Sequence, residues 1–297
     1  EIGSGLVGSE MCIRDRSYGP RFRKRQYMDM TKGVCNRRRI AIQGVSGCFH
    51  EAAARGYFGE EEIEFLECRS FRELFERLHG DRSLSGVVAI ENTIAGSLLQ
   101  NHELLRESDL WIAGEYKLRI SHVLAALPGE TIERIAEVNS HPIALMQCAE
   151  FLQRHPQMKV VEKDDTAGSA AEIAARGLNG HAAICGALAA RLYGLDILAE
   201  GIETNKRNFT RFLIVGDRSA DTELTDGRAA DKASLVFSLP HTQGSLSKVL
   251  TILSFYDINL TKIQSTPIIG SEWEYLFYID ITFTDFTRSV SYTHLRA

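Results

Sequence analysis

The chain has 297 residues, of which 44% are hydrophobic and 25% charged, and its formal net charge is −5. That length suits about two domains of ordinary globular composition, and the mildly acidic balance argues against a nucleic-acid partner. No apolar run reaches the roughly 18 residues of a membrane helix, and no basic-then-apolar leader opens the chain, so no membrane association is expected. Six cysteines (Cys12, Cys35, Cys48, Cys68, Cys148, Cys185) are scattered without a C-x-x-C. They read as reduced thiols of a cytoplasmic protein, not as a disulfide framework or a zinc site.

In chain order, the first segment stands apart. Residues 6–16 (LVGSEMCIRDR) and, at the other end, 290–297 (VSYTHLRA) resemble translated sequencing-adapter sequence. Residues 1–38 are therefore expected to be non-native or disordered, with a natural start at Met28 or Met30 and a natural chain continuing past Ser289.

Residues 39–44 (RIAIQG) then alternate as a strand, followed by Ser46-Gly47 and a helix over 49–58. The pattern recurs. A strand over 85–90 leads through a loop at 91–97 to a helix over 98–107. A segment at 134–138 leads to Ser140-His141-Pro142 and a helix running to 155. A strand at 159–162 is followed by Asp165-Thr166 and a helix to 175, and a strand at 182–184 by Gly186 and a helix to 192. Strand, short polar loop and helix in repetition predict an α/β fold with a mostly parallel sheet. Ser, Thr, Asp and Pro at the junctions suit helix N-termini. Beyond residue 217 the sequence turns polar, and residues 218–231 read as a linker. A strand at 233–239, a helix at 245–256 and strands at 259–267 and 274–283 then give β-α-β-β, the opening of a ferredoxin-like βαββαβ unit.

In a parallel sheet the strand-to-helix loops share one edge, where ligands bind, and helix N-termini attract anions. The polar junctions at Ser46-Gly47, Asn92-Thr93, Ser140-His141 and Asp165-Thr166 thus predict a cleft for a small anion carrying more than one carboxylate. Each hydroxyl taken singly reads first as a helix cap. His50 and Glu51 fall in a helix's first turn and read as structural, and His122, in ISHVLAAL, reads as a core histidine. The nine histidines show no ligand spacing, so no metal is expected.

Five strings within residues 39–217 resemble, in order, the motifs of prephenate dehydratases. They are Gln43-Gly44-Val45-Ser46-Gly47-Cys48-Phe49-His50-Glu51-Ala52-Ala53; Ile90-Glu91-Asn92-Thr93-Ile94-Ala95-Gly96-Ser97; Ser140-His141-Pro142-Ile143-Ala144-Leu145-Met146-Gln147-Cys148; Thr166-Ala167 with Ala170-Ala171; and Asn208-Phe209-Thr210-Arg211-Phe212.

The resemblance implies two α/β lobes like those of a periplasmic binding protein: lobe 1 of about 39–115 and 208–217, lobe 2 of about 116–207. It implies a lyase converting prephenate to phenylpyruvate, water and carbon dioxide in phenylalanine biosynthesis, with no metal or organic cofactor. Thr210, Asn92, Thr93 and Gln147 would be catalytic, and Ser46, Ser140, His141, Thr166 and Arg211 substrate-binding. Thr210 would donate to the leaving hydroxyl. Arg211 would either pair with a substrate carboxylate or form a structural salt bridge, since neighbours on a strand face opposite ways.

Residues 232–289 resemble an incomplete ACT domain, a regulatory module that senses phenylalanine. Gly244, Ser245, Leu246, Ser265 and Pro267 would be its effector site. Gln264 and Thr266 stand where that module has an acid and an arginine, which removes two charges an amino acid effector would meet. A βαββ fragment would also leave an exposed sheet edge and so aggregate. The full-length protein would be a homodimer or homotetramer. Arogenate dehydratase is the alternative activity, and a non-enzymatic two-lobed anion-binding protein the alternative of another class. A fused chorismate mutase would need about 90 helical residues ahead of Arg39, more than precede it.

Overall fold

The computed structural model describes residues 16–18, 37–59, 61–218 and 230–283. The expected linker and the two adapter-like tails lie largely outside the described residues. The chain divides into two compact units, residues 23–110 with 115–217, and the remainder. No helix among the described residues is long and apolar enough to cross a membrane.

A short strand, β1 (Arg16–Tyr18), belongs with the C-terminal unit. The larger unit begins with β2 (Arg38–Gln43), α1 (Phe49–Phe58), β3 (Ile63–Cys68), α2 (Phe71–Gly80), β4 (Ser85–Asn92), β5 (Gly96–Ser97), α3 (Leu99–Glu107) and β6 (Trp111–Arg119), of which 115–119 belong to it. It crosses to a second sheet at β7 (Val123–Ala126), β8 (Glu137–Ser140), α4 (Pro142–Gln147), α5 (Ala149–Gln153), β9 (Lys159–Glu162), α6 (Thr166–Arg176), β10 (His181–Cys185), α7 (Ala187–Leu192) and β11 (Asp196–Glu200), and returns as β12 (Phe209–Gly216).

The first sheet has the order β3-β2-β4-β12-β6, with β5 on β4, and the second the order β11-β7-β10-β8-β9. Both are mixed, not mostly parallel. Strands β2, β3 and β4 run parallel, as do β8, β9 and β10, but β12 and β7, which follow the two crossings between lobes, pair antiparallel. Helix α2 and strand β3 add a hairpin of elements to the sequence reading. Ser70 caps α2 by accepting the Glu73 N–H at 3.2 Å, and the Glu73 carboxylate accepts the Arg69 N–H at 2.8 Å, which satisfies donors the helix cannot use.

Strand β4 is apolar along nearly its whole length and buried, as a central strand covered on both faces must be. Ile40, Ala41, Ile42, Val87 and Val88 are wholly shielded from solvent. The second lobe has its own core of Leu124, Val138, Leu145, Phe151 and Ile184.

In the C-terminal unit, β13 (Lys232–Ser238), α8 (Ser245–Phe255), β14 (Asn259–Pro267) and β15 (Tyr275–Thr282) follow the predicted β-α-β-β order. The sheet order is β1-β13-β15-β14, all antiparallel. Phe237, Ile279 and Ile281 form its core, with Val249 and Leu253 of α8 against them. The expectation of a bare edge beside β13 is corrected: β1, from the segment set aside as foreign, lies along it with Arg16 opposite Ser234. An unpaired row of N–H and C=O groups accepts any extended chain that reaches it.

Candidate active site

The two lobes of the larger unit approach each other closely at the end of β2. The position a Cβ would take on Gly47 (φ +88°) lies 2.7 Å from Ala189 Cα, and on Gly44 (φ +103°) 2.9 Å from Asp165 Oδ2. Both positions favour glycine for the left-handed backbone, and Gly47 also for the space beside the Ala189 backbone.

Strand β12 pairs with β4 so that Thr210 lies opposite Asn92 and Arg211 opposite Glu91. Asn92 is the hub. Its Oδ1 accepts the N–H groups of Ile94 (2.9 Å) and Ala95 (2.8 Å), which shape the loop after β4. Its Nδ2 donates to Thr210 Oγ1 at 2.9 Å and to Asn208 Oδ1 at 2.8 Å. Asn208 Nδ2 donates in turn to Gln147 Oε1 at 2.9 Å, and His122 Nε2 meets the same oxygen at 3.0 Å. A chain of neutral side chains thus runs from lobe 1 into lobe 2. Thr210, Asn92, Asn208, Gln147 and His122 are all buried.

Two donors remain open on this chain. Thr210 Oγ1 accepts from Asn92, so its own hydrogen is available, and the Nε2 hydrogens of Gln147 meet no acceptor among the described residues. Burial depresses the pKa of His122 below the usual imidazole range, opposed by the Gln147 hydrogen bond and the nearby Glu203 charge, so the ring is neutral near pH 7.

The other expected site residues are placed as follows. The Thr93 hydroxyl donates to Arg207 O and accepts the Phe209 N–H, both at 3.0 Å, so it staples the 205–209 loop and is not a free donor. Ser140 Oγ donates to Ile184 O at 2.6 Å and is wholly buried between β8 and β10, which makes it a strand tie. His141 caps α4 through Nδ1, which accepts the Ile143 N–H at 3.2 Å. Thr166 opens α6, whose cap is the Asp165 carboxylate accepting the Gly168 N–H at 2.6 Å. Arg211 donates to Glu115 Oε2 at 2.7 Å and lies 3.7 Å from Glu91. It is therefore held in the salt bridge, the second of its two expected roles.

Ser46 differs most from expectation. Its N–H (2.6 Å) and Oγ (2.5 Å) both donate to Glu67 Oε1, and the Gly47 N–H donates to Glu51 Oε2 at 2.7 Å. The donors that would seat a substrate anion hold the chain's own carboxylates. Tyr193 Oη donates to Ser46 O at 2.7 Å. Burial, with Glu67 and Asp165 adding, pushes that phenol up to about 12. Burial also raises the Asp165 carboxyl, opposed by its capping hydrogen bonds.

In the C-terminal unit, Gly244 stands in the left-handed region (φ +81°) ahead of α8. Ser245 shares a 2.7 Å hydroxyl contact with Thr242 and Leu246 follows it in the first turn. Ser265 and Pro267 lie on the exposed positions of β14.

The sequence reading omits Asn208, His122 and Glu203 from the site. Asn208 stood inside a quoted string two residues before Thr210. His122 carried no signal beyond its apolar setting, which suits a core residue equally well.

Two mixed α/β lobes joined by two crossings, with a neutral polar seam at the crossing strands, define a periplasmic-binding-protein-like architecture. The comparisons give the family. Residues 40–220 match the family model for prephenate dehydratase, and the chain belongs to that family. Arogenate dehydratase/prephenate dehydratase 2, a chloroplastic protein of Arabidopsis thaliana, is 37% identical over 262 residues, covering 84% of this chain and 67% of its own length. Prephenate dehydratase of Arthrobacter aurescens in complex with L-Phe superposes with a TM-score of 0.70 at 27% identity, over 85% of this chain and 83% of its own. A protein described as GqqA, a novel type of quorum quenching acylase, superposes with a TM-score of 0.72 at 30% identity, over 83% and 88%. The chain spans between 59% and 67% of the length of the curated relatives it matches.

Proposed function

We propose that this chain converts prephenate to phenylpyruvate, water and carbon dioxide, and that Thr210 and Gln147 are the groups that touch the reacting atoms. The observation that carries the reading is the direction of the seam: Asn92 gives a hydrogen to Thr210 Oγ1, which leaves the Thr210 hydrogen to be given away.

In the reaction the bond from the ring to its carboxylate breaks, and its electron pair closes the aromatic ring. The bond to the ring hydroxyl breaks, and that oxygen leaves with one added proton as water. Negative charge develops on the departing oxygen, and a donor already aimed there stabilises it without reorganisation. A threonine hydroxyl is a weak acid, so it polarises the leaving group more than it protonates it. Neutral donors suit the other half of the step. A cation held against the ring carboxylate would stabilise the charge that must flow out of it, and Arg211 is committed to Glu115.

The same seam would serve arogenate, whose side chain carries an amine in place of the keto group. The name of the Arabidopsis relative includes both dehydratases. An acylase would need an activated nucleophile, and among the described residues the Thr210 hydroxyl is joined only to the neutral Asn92 amide.

The C-terminal unit reads as a phenylalanine-sensing ACT module, supported by its β-α-β-β order and by the Arthrobacter relative described with L-Phe. Gln264 and Thr266 weaken that site, and unchanged turnover at millimolar phenylalanine would remove it. Cys48, Cys68, Cys148 and Cys185 are free and buried, which suits the cytoplasm. A dimer or tetramer is expected for the full-length protein.

The test is to add purified protein to prephenate, and separately to arogenate, and follow phenylpyruvate and phenylalanine by absorbance and chromatography. Turnover of prephenate supports the reading. Turnover of arogenate alone moves the assignment to the sister activity, and turnover of neither by folded protein favours an anion-binding protein.

A further inference from the structure

The hydrogen-bond polarity of the seam is dictated from one end. The Ile94 and Ala95 N–H groups can only donate, so the Asn92 atom they meet is the oxygen, and its amide nitrogen faces Thr210 and Asn208. Asn208 must then accept from Asn92 and present its own amide hydrogens to Gln147, whose oxygen accepts at 2.9 Å. That oxygen also lies 3.0 Å from His122 Nε2. An amide oxygen only accepts, so the imidazole hydrogen is on Nε2 and Nδ1 carries a bare lone pair. Nδ1 is indeed buried without a partner among the described residues. The ring is clamped on its remaining sides. Its backbone N–H donates to Glu203 Oε2 at 2.9 Å, Glu203 is 1% exposed, and Phe49 packs edge-on with centroids 5.5 Å apart.

We propose that His122 is a positioning residue of the dehydration. Its Nε2–H pins the Gln147 oxygen and so holds the orientation of the whole seam, from Gln147 through Asn208 and Asn92 to Thr210. Without that hydrogen the Gln147 amide is free to turn, which sets its NH2 against the NH2 of Asn208. The seam then loses its link between lobes, and the Gln147 hydrogens no longer face the substrate. His122 touches no reacting atom; it acts through Gln147, and its role rests on the dehydratase reading above.

Two measurements decide it. In protein labelled with nitrogen-15 histidine, the ring signals lost in His122→Gln should report a neutral imidazole protonated at Nε2 at pH 7. Protonation at Nδ1, or a cation, overturns the proposal. This reading needs no substrate, so it stands apart from the assay of prephenate turnover that tests the function itself. In kinetics, His122→Leu should lower kcat on the order of tenfold, the size of one lost hydrogen bond, with KM changed far less. His122→Gln, whose amide nitrogen can take the place of Nε2, should restore most of that loss. A folded His122→Leu with unchanged kcat, or a folded His122→Gln as slow as an enzyme without the donor, contradicts it. If His122→Leu does not fold, the ring spectrum and the His122→Gln rate still decide.

Discussion

Two junctions of the larger unit look alike in sequence and differ in what they offer a ligand. The turn at Ser46-Gly47 and the seam at Asn92-Thr210 are both hydroxyl-bearing and polar, and both lie at strand ends. At the turn, every good donor is already used: Glu67 takes Ser46 and Glu51 takes Gly47. Along the seam, each donor's direction is set from Asn92, and the Thr210 and Gln147 hydrogens meet no acceptor among the described residues. A polar cluster that closes on itself stabilises the fold, whereas one that leaves a directed donor open can do chemistry.

The sharpest way to break this comparison is Asn92→Asp. It keeps the shape and the acceptor for Ile94 and Ala95, but it turns an oxygen toward Asn208 Oδ1 and Thr210 Oγ1. Turnover of prephenate should fall by about 10²–10³, the effect of losing an organised donor, while circular dichroism stays native.

The next largest effect is in acid. Burial lowers the His50 pKa from 6.5 to about 4. The unfolded chain therefore binds the proton first, so stability is complete above about pH 6.5 and falls as the pH drops toward 4. The loss is on the order of 3 kcal/mol. Denaturant melts across that range should show it, and His50→Phe should flatten the slope. His122 in the seam, whose pKa burial also lowers, should add to the loss in the same direction.

At the turn, Gly47→Ala meets both a positive φ and the Ala189 backbone. It should cost about 1–3 kcal/mol in thermal or denaturant unfolding. Ser46→Ala should do least. It removes one exposed hydroxyl hydrogen bond and leaves the N–H to Glu67, so stability should move by no more than about 0.5 kcal/mol and KM for prephenate should not change. A large rise in KM would return Ser46 to the substrate.

The elements were legible where local chemistry decides them. The Asp165 cap of α6, the Pro142 start of α4 and the β-α-β-β order all follow from residues within a few positions of each other. The mixed sheets were not, because the direction of β12 depends on a crossing from the other lobe. The motif strings pointed to Asn92, Gln147 and Thr210, but not to how they connect. That connection needs the β4–β12 register and the irregularity between Arg211 and Phe212, which no local pattern encodes. Arg211 bonds Glu115 of β6, ninety-six residues away in the chain. Nothing in sequence spacing reveals that Glu67, twenty-one residues on, fills the Ser46 donors.

The measurement that bears most directly on the central claim is the kcat of Thr210→Val beside Thr210→Ser, with prephenate as substrate and native folding verified for both. Valine keeps the shape and removes only the hydroxyl. The account predicts that Val loses about 10²–10³ in kcat while Ser stays within about tenfold of the native rate. A folded Val variant that turns over prephenate as fast as the native chain would contradict it.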